Sequence, residues 1–359
     1  MTAAATLAAN LLTELGVDLP IIQAPMASVS TPAMAAAVSN AGGLGSLGVG
    51  ASTAAQARQA IEETRALTGR PFGVNVFCHQ PPRRDPEREA GWLQHLAPLF
   101  ADVGLEPPTQ LNEIYRSFLA DDDAFRMLLE TRPAVVSFHF GLPSPGWIAA
   151  FREAGVKTLA TATNLREAQA IAAAGVDGVI AQGIEAGGHR GMFDPEAVDE
   201  RLSTAVLVRL LVARTRLPVI AAGGIMDGQS VKAALDLGAI AAQLGTAFIL
   251  CPESAANANY RQNLRSDRAG VTRLTAVLSG RPARGMVNRF IEYGEAARSP
   301  PPAAYPLAYD AAKQLNAAAA KQGDHEFAAQ WAGQGAPLAR DLPAAQLVKA
   351  LAQELRESG

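Results

Sequence analysis

Short apolar runs recur along roughly the first 250 residues, and stretches rich in alanine and leucine with helical spacing separate them. The runs are Pro20–Met26, Ala41–Gly48, Pro71–Phe77 and Ala134–Phe138, then Lys157–Ala160, Gly178–Ile180, Pro218–Ala222 and Ile240–Leu244. Each is nearly continuously apolar, the pattern of a parallel strand covered on both faces. Between them the spacing predicts helices over Pro32–Asn40, Thr53–Leu67, Asn164–Ala174 and Ser230–Leu237, after a short opening helix that ends near Gly16. Eight βα units joined by right-handed crossovers close into a (β/α)8 TIM barrel. A doubly wound open sheet is the rival, but no G-x-G-x-x-G follows the first strand.

Two regions break the rhythm. Residues 79–132 are too long for an ordinary βα connection and hold a Pro/Arg-rich loop followed by helices expected over Trp92–Phe100 and Asn112–Leu129. Beyond the eighth strand, a helix is expected over Glu253–Arg265, irregular chain over Leu278–Met286 and a Pro-rich stretch at Ser299–Pro306. The expected organisation is a barrel over 1–250, a smaller C-terminal substrate or lid lobe over 251–340, and a final segment, 341–359, whose helix packs back on the barrel.

Composition narrows the function. A formal net charge of −3 with no Lys/Arg cluster argues against nucleic acid and anionic lipid as partners. Cys78 and Cys251 form no disulfide framework and no metal-ligand spacing, so no metal site is expected. With neither a signal segment nor a long apolar span, the expectation is a cytoplasmic protein away from the membrane, as a monomer or homodimer.

In a barrel of this type the chemistry collects where the strands end. The first strand ends in Ala24, Pro25 and Met26, and the third places Asn75. His139 follows the fourth. The sixth leads into AQGIEAGGHRG, which carries Gln182, Gly187, Gly188 and His189. Glycines lacking a Cβ let main-chain N–H groups approach a ligand, and an imidazole titrates near neutrality. An ordinary glycine-rich surface turn is the competing explanation. AAGGI contributes Gly223 and Gly224 after the seventh strand, and QLGTA contributes Gln243, Leu244, Gly245 and Thr246 at the eighth. That pair of turns is where such barrels hold a phosphate, and Asn75 and Gln182 add amides for a heterocycle, so a phosphate-bearing ring cofactor such as FMN suits both ends. His139, between two phenylalanines, reads from position alone as a satisfied core histidine. Tyr305, Tyr309 and Lys313 fall at four-residue spacing in AYPLAYDAAK, with Pro306 in the first turn, and share one expected helix face. That face is either a clamp for a small anion or simply solvated. Tyr115 and Tyr260 lie in the two interruptions, and together these residues suggest a polar aromatic lid.

QAPMA, GVNVF, QGIEAGGHRG, AAGGI, QLGTAF and AYPLAYDAAK, in this order, resemble the class I nitronate monooxygenases, formerly called 2-nitropropane dioxygenases. QAPMA and AAGGI alone are shared with other FMN barrels; the tyrosine and lysine set separates the class. The resemblance implies FMN held by Asn75, Gln182, Gly187, Gly224 and Gln243 through Thr246. It also implies His189 as the active-site histidine, and a substrate pocket shaped by His139, Tyr115, Tyr260, Tyr305, Tyr309 and Lys313. The implied reaction takes an alkyl nitronate, propionate 3-nitronate in the family, and O2 to a carbonyl compound and nitrite. Two alternatives stay open: an NAD(P)H-dependent flavin reductase acting on a quinone or enoyl thioester, and a flavin-free lyase or isomerase acting on a phosphorylated substrate.

Overall fold

The computed structural model describes residues 11–358. Of the opening helix, residues 11–15 are helical and turn at Gly16, and the rest lies outside the described residues. Eight parallel strands form the central sheet: β1 (Ile21–Gln23), β2 (Gly45–Gly48), β3 (Phe72–Phe77), β4 (Val135–His139), β5 (Lys157–Ala162), β6 (Gly178–Gln182), β8 (Val219–Ala222) and β9 (Ala241–Leu244). β1 pairs with β9, and a parallel bridge between Ile22 and Leu44 joins β1 to β2, so the sheet closes into a (β/α)8 barrel. All eight expected strands are present.

Alternation along each strand sorts its side chains. In β3, Val74 and Val76 join the core between sheet and helices, which turns Asn75 into the barrel. At the N-terminal end Ile22, Leu44, Leu159, Ile180 and Ile220 pack together under Leu11 and Val17. That end is filled with apolar side chains, and the polar groups collect at the other.

The helices between the strands are capped as their sequences direct. Thr53 opens a capping box with Gln56 at the start of Ala54–Leu67, and Asn164 caps Leu165–Ala173. Three expectations need correction. A single helix over Asn112–Leu129 is replaced by irregular chain, a short 3-10 turn at Phe118–Ala120 and a helix at Asp122–Thr131. Ser117 and Asp121 each cap a new start there, and Asn112 is drawn to Asp310, so local side-chain bonds outcompete one continuous helix. The helix expected from Glu253 begins only at Ala258, where Asn257 supplies the cap. Leu278–Met286 is not wholly irregular: Ala283–Met286 is strand β11, held between β10 (Thr272–Thr275) and β7 (Gly188–His189) in a small antiparallel sheet.

The two interruptions pack on one another. Trp92, Leu96 and Phe100, from the helix Pro86–Asp102, form a second core with Leu278, Phe290, Leu307, Leu315 and Phe327. The last helix, Ala344–Glu357, lies against Gly228–Asp236 and Pro32–Asn40 on the barrel wall. Gly228 is needed at that contact: its N–H donates to Glu354 Oε2 at 2.7 Å, and a Cβ would sit 2.4 Å from Glu354 Cβ.

Candidate active site

One cavity of about 360 Å3 opens at the C-terminal end of the barrel and runs beneath the segments that follow β9. Its inner end is backbone. Gly223 and Gly224, just past β8, have φ of 129° and 70°, a region that favours glycine. A Cβ on Gly223 would meet Thr204 Oγ1 at 2.6 Å, and one on Gly224 would meet Glu185 Cβ at 3.1 Å. Next to them Gly245 and Thr246 open a 3-10 turn, and the Thr246 hydroxyl accepts the Gly333 N–H at 3.0 Å. Among the described residues, the N–H groups of Gly224 and Thr246 have no main-chain acceptor. Unpaired donors on glycine turns form an anion cradle that needs no basic side chain. Gly187 completes it by packing directly on Gly333, where a Cβ would lie 2.5 Å from the Gly333 nitrogen.

Ala24, Pro25 and Met26 also line the cavity, and Ala24 and Met26 lie beside Gly245. Of the three amides nearby, the Gln243 side chain has no hydrogen-bond partner among the described residues and lines the cavity. Asn75 donates to Ser137 O and Oγ, at 3.0 and 2.9 Å, which leaves its carbonyl oxygen free. Gln182 is largely committed to the loop. It donates to His189 O at 3.0 Å and accepts from Gly191 N at 2.8 Å. Leu244 is the one expected cofactor residue outside the cavity; its side chain is buried in the core between sheet and helices, because alternation in β9 turns it away from Gln243.

The outer end is built around His189. β7 pairs with β11, His189 opposite Ala283, and this fixes the loop that sequence alone leaves as a possible surface turn. The imidazole is half-buried on the cavity wall, with Nε2 2.9 Å from Ser279 Oγ. Nδ1 has no partner among the described residues and is not buried, so it is open to the cavity. The ring lies among Phe140, Tyr305 and Trp331, with centroids 5.7, 5.4 and 5.0 Å away. Burial, then the Arg281 guanidinium and the neighbouring histidines, push its pKa down to about 3, so the imidazole is neutral at physiological pH.

His139 is tied to the same loop. Its Nε2 lies 3.2 Å from His189 O, which can only accept, so Nε2 carries the proton and Nδ1 accepts from Thr161 Oγ1 at 3.0 Å. Burial and Arg281 hold its pKa down at about 4. It touches the cavity and also braces the loop, which combines the two roles its sequence position allowed.

Tyr115, Tyr260, Tyr305 and Tyr309 all reach the cavity from outside the barrel strands. Burial pushes each phenol up, Tyr309 to about 12, so all four remain neutral. Tyr260 donates to the Trp331 carbonyl. Tyr305 precedes the helix Leu307–Lys321 and is not on its face; only Tyr309 and Lys313 are within it, with Pro306 as the N-cap residue. Lys313 lies exposed at the mouth, its Nζ 4.8 and 5.2 Å from the Tyr115 and Tyr309 ring centroids. Sequence reasoning missed Phe140, Trp331, Ser279, Gly333 and Gly335. The two glycines had a legible signal, the GQG in WAGQGAP, but nothing local showed that it would lie on Gly187 and Gly224.

The family model of nitronate monooxygenase matches residues 9–354. The chain belongs to the nitronate monooxygenase family. It is 59% identical to the nitronate monooxygenase of Paraburkholderia phytofirmans over 97% of this chain and 95% of that protein. Identity to the nitronate monooxygenase of Pseudomonas aeruginosa is 57%, over 95% of this chain and 97% of that one. Among solved structures, nitroalkane oxidase from Streptomyces ansochromogenes superposes with a TM-score of 0.89 at 44% identity, covering 97% and 98% of the two chains. FabK from Thermotoga maritima shares the architecture at 30% identity and a TM-score of 0.73, over 97% of this chain and 96% of that one. The family is generally flavin-dependent, and the chain is accordingly an oxidoreductase of the nitronate monooxygenase class. No helix among the described residues is long and apolar enough to cross a membrane, and no group of acids, histidines or cysteines there could hold a metal ion.

Proposed function

We propose that the chain binds FMN and oxidises a small alkyl nitronate with O2, releasing a carbonyl compound and nitrite. The observation that carries this reading is a single cavity with an uncharged N–H cradle at one end and a neutral imidazole walled by phenols at the other. The residues fit the cofactor. Gly223, Gly224, Gly245 and Thr246 would receive its phosphate, and the free amide of Gln243 with the free oxygen of Asn75 would meet the polar edge of its ring. When bound, the flavin supplies the redox chemistry, accepting electrons from an anion that is already electron-rich.

The protein's part is to bind, orient and exclude water. A nitronate arrives deprotonated, so no strong base is required, and a neutral His189 suits it. Ser279 Oγ has one proton and two candidate acceptors, the Arg281 carbonyl at 3.1 Å and His189 Nε2. When that proton goes to the carbonyl, Nε2 keeps its own and Nδ1 presents a lone pair to the cavity, which is the arrangement needed to take the α-proton of a neutral nitroalkane. With the opposite tautomer Nδ1–H donates to the nitronate oxygen. Tyr115, Tyr305 and Tyr309 supply neutral surfaces and hydroxyls in a half-dry space, and Lys313 at the mouth would attract a substrate carboxylate such as that of propionate 3-nitronate. Cytoplasmic residence and a monomeric or homodimeric state go with this reading.

The visible spectrum of the purified protein, followed by addition of propionate 3-nitronate in air with nitrite measured, tests it. A yellow protein releasing nitrite is expected. A colourless protein that binds no FMN overturns the cofactor assignment, and flavin bleached anaerobically by NADH with no nitrite formed from nitronate overturns the reaction.

A further inference from the structure

The segment Ser279–Arg281 places a guanidinium behind the cavity wall. Arg281 is 2% exposed, yet it forms no ion pair with any described carboxylate. Glu167 and Asp194 act on it only at a distance; Glu167 spends its two oxygens on the N–H groups of Thr163 and Phe193, and Asp194 accepts the Glu196 N–H. What holds Arg281 is one hydrogen bond to the Met192 carbonyl and the Phe140 ring, over which Cζ sits 4.1 Å from the centroid. Its Nε has no hydrogen-bond partner among the described residues. By contrast Arg190, equally buried, is fully satisfied by Asp199 and the carbonyls of Gln182 and Gly183.

An arginine cannot shed its proton to escape burial, and a buried cation without a carboxylate is costly to keep. The cation–π contact offsets part of that cost. Phe140 is itself held in an unusual backbone state for a residue with a side chain, φ 75°, and it lines the cavity while its ring carries the guanidinium. On the cavity side that ring meets His189 edge-on, at 87° between planes. The guanidinium lowers the pKa of His79, His139 and His189, second only to burial in each case, so its field reaches across the whole wall.

We infer that Arg281 is a charge-positioning residue for the anionic substrate: from behind Phe140 it makes the His189 end of the cavity favourable to a nitronate over its neutral nitroalkane. The cation is left unpaired so that the incoming anion, not a protein carboxylate, receives its field. Phe140 keeps it from contact with the substrate, so it attracts without forming an ion pair that would slow product release. This inference rests on the reading of the substrate as a nitronate.

Ethyl nitronate and nitroethane differ by one proton and hold shape nearly constant, so the ratio of their kcat/KM values measures charge discrimination. For the FMN-loaded protein, Arg281→Gln should lower kcat/KM for ethyl nitronate about tenfold, mainly through KM, and leave that for nitroethane within about twofold. Arg281→Lys keeps the charge while losing the planar stack, and should preserve the wild-type ratio even where both values fall. A preserved ratio in Arg281→Gln, or a collapsed ratio in Arg281→Lys, overturns the inference, and each variant decides by itself if the other fails to fold. Absence of nitrite release from ethyl nitronate by the wild-type protein would instead overturn the substrate reading, and is recorded before any variant is measured.

Discussion

The two ends of the cavity are built by opposite means. The inner end is made of turns that directly follow neighbouring strands β8 and β9, with glycines whose conformations the local sequence almost demands. The outer end is assembled from residues far apart in the chain: His189 from the loop after β6, Ser279 and Arg281 from the chain before β11, Tyr115 from the interruption after β3, and Tyr305, Tyr309 and Trp331 from the segment beyond β9. The inner end offers backbone, which tolerates sequence change as long as no Cβ intrudes. The outer end presents side chains set in place by a second core, so its geometry depends on packing at a distance.

Under the proposed function the two ends can be damaged separately. His189→Asn should leave the flavin bound and lower nitrite release by about 100- to 10,000-fold. Single-turnover and steady-state nitrite assays on the yellow variant decide this, and unchanged turnover would remove the imidazole from the reaction. At the other end, Gly224→Val places a branched side chain at φ 70°, adding about 1–3 kcal/mol of backbone strain at the cradle. Flavin affinity should fall about 10- to 100-fold with the far-ultraviolet circular dichroism unchanged, and fluorescence titration of apoprotein with FMN measures it.

Lys313 should show a smaller effect, because it is exposed and screened. Lys313→Met should raise KM for a nitronate bearing a carboxylate about threefold and leave a neutral-tailed one unaltered. Equal effects on the two would remove the lysine as a clamp.

The smallest expected change is in the pH profile of kcat/KM. With the pKa of His189 pushed down to about 3 and that of His139 to about 4, no limb should appear near pH 6.5. An imidazole limb there would mean that the outer end is wetter than its packing indicates. Stability carries the same signature with a definite sign. The unfolded imidazoles bind protons below about pH 6.5 while the folded ones do not, so the folded state holds its full advantage above that pH. It loses that advantage as pH falls from about 6.5 toward 4, which denaturant titrations across that range would show.

The barrel was legible because each strand is a short apolar run and each helix start carries its own cap, as with Thr53 and Asn164. Gly223, Gly224, Gly245 and Thr246 were legible for a related reason: their place in the cavity wall follows from their position at a strand's end. The resemblance supplied His189 and the tyrosines, but their geometry was not readable. Tyr305 proved to stand ahead of its helix, Leu244 to point into the core, and Gln182 to be spent on the loop that carries His189. Strand β11 escaped notice because Arg, Gly and Pro obscure any alternation around it, and its partners lie about 10 and 95 residues away.

Periodicity, glycine placement and capping are local properties, and by themselves they determined a closed parallel barrel with glycine turns gathered at the C-terminal ends of its strands. The protonation and orientation of His189, the bracing by His139 and Ser279, and the unpaired charge of Arg281 were decided only in the tertiary structure. Burial and Coulomb interaction depend on which groups are brought near in space, and for these residues spatial neighbours come from segments that share no sequence neighbourhood.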